Sequence, residues 1–311
     1  MNRLLITATL FVFLFSLSSS LFGRSRKRRG LLGGLFKDGR FKSKEDRKKE
    51  EYKRRLEITS KRPDKVTLEE EMEIGQSLTR KFLDALDGEL ISSYYYKKPW
   101  DYCNAIAEAV GAKLWSRKER KYRVGIVRSK TPEVFSTPGG FIVITTALLE
   151  KLESEGQLVA LMAFEAILVS RQVHLHAYHR GARNKSKSKA LGSLLTGGRY
   201  RSSLGAYNTG EINVFEGRFG KDNVLEADKC AATIMAYLGY SPVSYEIYLH
   251  TLKEIQPAML RSNMPSVDER LAKLKKYIDG NVAWANGFAQ DRKRYKKNVL
   301  DKLPILPGLK N

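Results

Sequence analysis

Histidine is scarce in this chain, four residues in 311, and three of them crowd together as His174, His176 and His179. Any site built on imidazoles has to draw on that cluster or on the distant His250. Cysteine is scarcer, with Cys103 and Cys230 alone. Two thiols exclude a disulfide framework; one bridge and two buried unpaired thiols both fit, and neither fixes the compartment. A long apolar run is also missing. The N-terminal stretch Leu4 to Phe15 falls short of the roughly 20 residues that a membrane-spanning helix needs. Acidic residues are outnumbered, 34 against 56 Lys and Arg, which leaves a net charge of +22. No internal repeat is visible. What is present is an ordinary globular content, with 42 % hydrophobic residues in a length that buries one sizeable core. That favours one domain with extensions over two full domains.

Arg3 before the apolar run, and the small, Ser-rich stretch Ser16 to Ser20 after it, give residues 1–20 the layout of a secretory signal peptide. Arg24, Arg26, Lys27, Arg28 and Arg29 follow at once, and positive charge on that side opposes translocation. The expectation is export to the periplasm or cell envelope, with an uncleaved membrane anchor as the alternative. Residues 21–65 read as a basic linker. From Arg24 to Lys65 there are 18 Lys or Arg against 7 Asp or Glu, half of the net charge of +22. Such a segment, with Gly30, Gly33, Gly34 and Gly39 in it, does not build a core of its own. It is either a solvated linker or a foothold on anionic lipid headgroups, helped by Leu31, Leu32, Leu35 and Phe36. No nucleic-acid-reading module accompanies the charge, so no nucleic-acid partner is expected.

Further on, Thr67 and Glu70 read as a capping box opening a helix, with Leu68, Met72, Ile74, Leu78 and Phe82 at helical spacing up to about Gly88. A second helix is expected from about Pro99 to Leu114. Tyr122 to Val127 alternates as a strand does, Phe135 to Pro138 leads into Gly139-Gly140, and Phe141 to Thr146 is the clearest strand. A helix from Gln157 to about Arg180, free of Gly and Pro, is apolar nearly all round from Leu158 to Val169, which argues passage through the core. Residues 181–221, rich in Lys, Ser and Gly, read as an insertion. Helices near Asp222–Leu238, Pro242–Ile255 and Ser266–Ile278 follow, the first stopped by Gly239-Tyr240-Ser241-Pro242. Residues 281–311 form a basic extension with a surface helix. Small β elements among helices imply an α+β domain over residues 66–280.

Five fragments in this order resemble the HtpX- and BepA-type gluzincin metallopeptidases, peptidase family M48. They are Glu71-Met72-Glu73-Ile74-Gly75; Ser136-Thr137-Pro138-Gly139-Gly140-Phe141-Ile142; Phe164-Glu165-Ala166-Ile167-Leu168; Leu225-Glu226-Ala227-Asp228; and Ala236-Tyr237-Leu238-Gly239-Tyr240-Ser241-Pro242. The resemblance covers about Val66 to Leu274. It implies a zincin-like fold, mostly helical, with a small mixed sheet beside the active-site helix. It also implies roles: Glu165 falls on the general base, Glu226 on the third zinc ligand, and Asp228 on the carboxylate that orients a ligand. Phe164 and Leu168 fall on the two histidines of the H-E-x-x-H motif. Asn263, before Met264-Pro265, falls on the histidine that steadies charge developing in the transition state.

Neither Phe nor Leu has a lone pair to offer a metal, so Glu165 is left without a polarised water to activate. The remaining histidines are badly placed for a rescue if the helix runs on to Arg180. At about 100° per residue, His174 and His176 point to opposite sides of the face shared by residues 164 and 168, and His179 lies roughly 16 Å beyond Leu168. They are expected as solvated side chains at a helix end. Buried carboxylates need partners, and Arg171 is a candidate for Asp228. The expected function is an inactive metallopeptidase homologue of the cell envelope, without cofactor, that holds extended or unfolded polypeptide as scaffold or chaperone. Strand addition along Phe141, Ile142, Val143, Ile144 and Thr145 is the expected mode; a covered, purely structural strand is the other reading. The alternatives are an active endopeptidase with an atypical zinc site and a membrane-surface adaptor that uses residues 24–65.

Overall fold

The computed structural model describes residues 61–86, 89–91, 93–114, 119–183, 219–255, 263–280 and 292–303, together with Glu50, Val214 and Gly217. Contacts divide the chain into Met1–Lys53 and Arg54–Asn311, and every described residue except Glu50 belongs to the second unit. The expectations for residues 1–20, and for most of 21–65 and 181–221, lie outside the described residues. The described elements run α1 (Leu68–Leu86), β1 (Glu89–Leu90), α2 (Lys97–Ala112), β2 (Arg123–Arg128), β3 (Val134–Thr137), β4 (Phe141–Thr145), α3 (Thr146–Lys151), α4 (Glu155–Ser170) and α5 (Val173–Arg183). After these come α6 (Lys221–Tyr237), α7 (Val243–Ile255), α8 (Val267–Asp279) and α9 (Arg292–Asn298). The protein is mostly helical with one small mixed sheet, the α+β, zincin-like class expected.

The core is organised around α4. Ser154 caps it, accepting from the Gln157 backbone while the Gln157 side chain returns to the cap, a complete capping box. Every residue from Glu155 to Val169 is buried, as an apolar circumference requires. Helices α2, α6 and α7 and strands β3 and β4 all pack against it. At Gly156 a methyl group would stand 2.6 Å from Ser244 Oγ, so only glycine lets α7 approach this closely. No single helix among the described residues is long and apolar enough to cross a membrane. The bent pair α4 and α5 has a suitable composition, but α4 is enclosed by protein.

The strand order is β1-β2-β4-β3, with β2 parallel to β4 and the other pairs antiparallel. This corrects the expectation for residues 141–145. Phe141 to Thr145 pairs with β2 on one side and β3 on the other, and all five residues are buried. It has no open edge for strand addition, because the β3–β4 hairpin folds its first strand to the outside. Side chains of β3 alternate as the pleat demands. Phe135 stacks on Phe82 of α1 at 4.0 Å and Thr137 Oγ1 meets Thr79 Oγ1 at 3.1 Å, while Ser136 turns to α4. The turn of this hairpin docks on α1. A methyl group at Gly75 would fall 1.8 Å from the Pro138 carbonyl oxygen, and one at Gly139 2.7 Å from Met72 Cα. Two of the five sequence fragments, far apart in the chain, are thus the two faces of one contact.

The long helix expected to reach Arg180 is broken. It stops at Ser170, and α5 leaves at 53° to it. Gln172 takes the hinge with φ 55°, a left-handed conformation unusual outside glycine. Its side chain donates to Glu71, which also holds Arg120 at 2.6 Å in a fully buried pair. The long-range anchor offsets the local backbone cost.

Candidate functional site

Residues 164, 165 and 168 lie on α4 where it crosses β3. Phe164 and Leu168 are packed in the core. Glu165 is wholly buried between them, and its Oε2 accepts from Ser136 Oγ at 2.5 Å. The same hydroxyl lies 3.1 Å from His174 Nε2, and the His174 ring meets Phe219 edge-on at 4.7 Å. His174 and His179 are therefore buried, against the expectation of solvated histidines; His176 alone of the three is exposed. The helical-wheel argument failed because the bend after Ser170 swings α5 back toward β3. The order of the chain is carboxylate, hydroxyl, imidazole. A nucleophile triad needs the imidazole in the middle, so that it can take the hydroxyl proton while the carboxylate orients it. Here the serine is the bridge.

The second half of the site comes from α6, α7 and α8. Asp228 is buried and accepts twice from Arg270, from Nε at 3.0 Å and from Nη2 at 2.8 Å, and once from Tyr245 Oη at 2.7 Å. The partner expected for Asp228, Arg171, is replaced by Arg270, because α8 rather than the end of α4 faces α6 at that level. The Arg270 guanidinium also lies over the Phe164 ring, 4.4 Å from its centroid. Burial acts against the guanidinium charge, and the Asp228 carboxylate together with Tyr245 and Tyr248 more than offsets it, so the net shift favours the cation. Burial also pushes the Tyr245 phenol well above its ordinary range, with the carboxylate adding to the effect, and the hydroxyl stays a donor. Sequence reasoning missed Arg270, although a signal existed. It lies three residues after Val267 and four before Leu274, inside the buried stripe of α8.

Two positions stand apart from this cluster. The Glu226 side chain is 45 % exposed and pairs with Lys229 at 3.4 Å, one turn along the surface of α6. Asn263 is exposed, just before α8. Cys103 is buried and Cys230 half-buried, and both are free thiols.

A model of Peptidase family M48 matches residues 102–278. The chain belongs to this family. No curated protein matches it. As a member of family M48 it is metallopeptidase-like, and its fold places residues 164, 165 and 168 on the buried helix beside the sheet.

The zinc that this family implies does not suit the residues present. Of the three positions that the resemblance assigns to ligands, two carry hydrocarbon side chains that donate nothing, and the third points its carboxylate to Lys229 at the surface. Among the described residues no three His, Cys, Asp or Glu side chains gather closely enough to hold a metal ion. The guanidinium over the Phe164 ring is already paired with Asp228. No step through a metal is derived for this chain.

Proposed function

We propose that this family member does not hydrolyse peptide bonds, and that it serves in the cell envelope as a scaffold or chaperone for extended or unfolded polypeptide. One observation carries the reading. Phe164 and Leu168, at two of the three expected ligand positions, are closed apolar packing, and the carboxylate at the expected general-base position is engaged by Ser136 inside the core. A catalytic metal site keeps an open position for water and substrate, and a general base must reach the proton that it removes. Holding a polypeptide needs neither. The envelope location rests on the signal-like layout of residues 1–20, and the choice of an extended client rests on family membership. With β4 paired on both sides, β1 is the outer strand whose residues are not buried, and it is the sheet edge left for a client.

The test is metal content by mass spectrometry on the purified chain, beside cleavage of an unfolded substrate with and without added zinc. Metal far below one equivalent, no cleavage, and suppressed aggregation of the unfolded substrate support the proposal. About one zinc per chain with cleavage abolished by Glu165→Gln overturns it. A chain that neither cleaves nor suppresses aggregation removes the chaperone half.

A further inference from the structure

The most exposed large hydrophobic side chains among the described residues are neighbours, Tyr94 at 83 % and Tyr95 at 79 %. Their rings meet edge to face at 5.1 Å and form one exposed aromatic knob. The knob stands just before α2, in the run Tyr94-Tyr95-Tyr96-Lys97-Lys98. Beside it is an open hollow of about 410 Å³, walled by Tyr95, Tyr96 and Pro99 and by Asp301, Lys302 and Leu303 of the C-terminal segment. Helix α9, of sequence RKRYKKN, leads into that segment and packs on α2. Its Tyr295 is buried and its Lys293, Lys296 and Lys297 are exposed. Aromatic bodies with polar tips, beside Lys97, Lys98 and Lys302 at the rim of the same hollow, are the side chains that settle at a lipid headgroup layer.

We propose that this face, formed by Tyr94, Tyr95 and the surrounding lysines, docks the folded domain on an anionic lipid surface. The charge is complementary, and the local cations outnumber Asp101 and Asp301. The partner is a bilayer rather than a single-stranded nucleic acid for a geometric reason. The two rings stand at 89° to each other, whereas stacking successive bases needs parallel open faces. Tyrosines at a headgroup layer need only reach it.

The experiment is co-sedimentation of the full chain with vesicles of phosphatidylcholine alone and of an equimolar mixture with phosphatidylglycerol. The expected result is binding to the mixture alone, weakened by salt, and an affinity about tenfold lower or less for Tyr94→Ser/Tyr95→Ser/Lys98→Glu. These side chains are exposed, so the fold tolerates the change, and unchanged circular dichroism checks it; Lys98→Glu alone is the milder variant. Tyr237→Ser, at an exposed tyrosine on α6, is expected to bind as the parent does. The proposal is overturned if the triple variant binds like the parent, which assigns any binding elsewhere in the chain. No binding to the anionic vesicles, or equal loss in Tyr237→Ser, overturns it too. So does a single-stranded oligonucleotide that binds more tightly with the same dependence on Tyr94 and Tyr95.

Discussion

Replacing Asp228 by Asn keeps the shape of the side chain and removes the counter-charge of a guanidinium that is 3 % exposed. The carboxylate is the acceptor for three donors, two from Arg270 and one from Tyr245. An amide retains one acceptor oxygen, so one of these donors loses its partner and the buried cation is left uncompensated. Removing one member of a buried ion pair costs about 3–5 kcal/mol, against a total stability for a domain of about 5–15 kcal/mol. The single substitution therefore removes about a fifth or more of the typical margin. It is read in urea unfolding as a lower midpoint with an unchanged slope. The companion variant Asp228→Leu/Arg270→Met removes both charges and keeps apolar volume beside Phe164. It is expected to recover much of the loss, since apolar replacements of buried pairs are often neutral or better. The reasoning is refuted if Asp228→Asn costs less than about 1 kcal/mol, the range of surface pairs. It is equally refuted if the double variant is as unstable as the two single losses added together.

Burial raises the Cys103 thiol from 9.0 to about 12 and raises Cys230 less, so a thiol reagent at pH 8 is expected to modify Cys230 slowly and Cys103 only on unfolding. In the unfolded chain Cys103 ionises near its ordinary value while the folded form holds its proton, so this thiol lowers stability as pH rises from 9.0 toward 12; the Cys103→Ala variant should show a shallower alkaline decline. Gly75→Ala places a methyl group 1.8 Å from the Pro138 carbonyl oxygen and is expected to destabilise by about 2 kcal/mol or more, measured as a fall in Tm. Ser136→Ala removes the hydroxyl between Glu165 and His174, with an expected cost of about 1–3 kcal/mol in chemical unfolding.

The sequence made α4 readable because a helix apolar on every side has one place to go; its Ser154–Gln157 cap, a local signal that sequence reasoning missed, starts it at Glu155 rather than Gln157. The capping box at Thr67 and Glu70 is legible in the sequence; both reciprocal bonds form, at 3.2 and 3.0 Å. What escaped was set by distant partners. Nothing around Arg171-Gln172 marks a helix end, since neither residue is Gly or Pro; the break is held by Glu71, 101 residues earlier. Without that bend His174 cannot reach Ser136, so the buried network of the site was invisible. Strand order was hidden for a related reason. An antiparallel hairpin fixes that β3 and β4 are neighbours, but which of them also meets β2 depends on the crossover through the whole sheet. The surface helix expected in the C-terminal tail is present, but Tyr295 buries itself and donates to the Leu149 carbonyl at 2.7 Å.

That helix gives the first turn of α4 its outermost support. Glu155, at the N-terminal end where the helix dipole favours an anion, accepts from Tyr102 of α2, from Tyr240 after α6 and from Arg294 of α9. The family match ends at residue 278, yet a chain cut there forfeits Arg294 and uncovers the slot filled by Tyr295 and Val299. The evolutionary border and the mechanical border of this domain differ. A separately produced domain needs its edge beyond Leu303, or its central helix begins on a carboxylate that has lost its clasp.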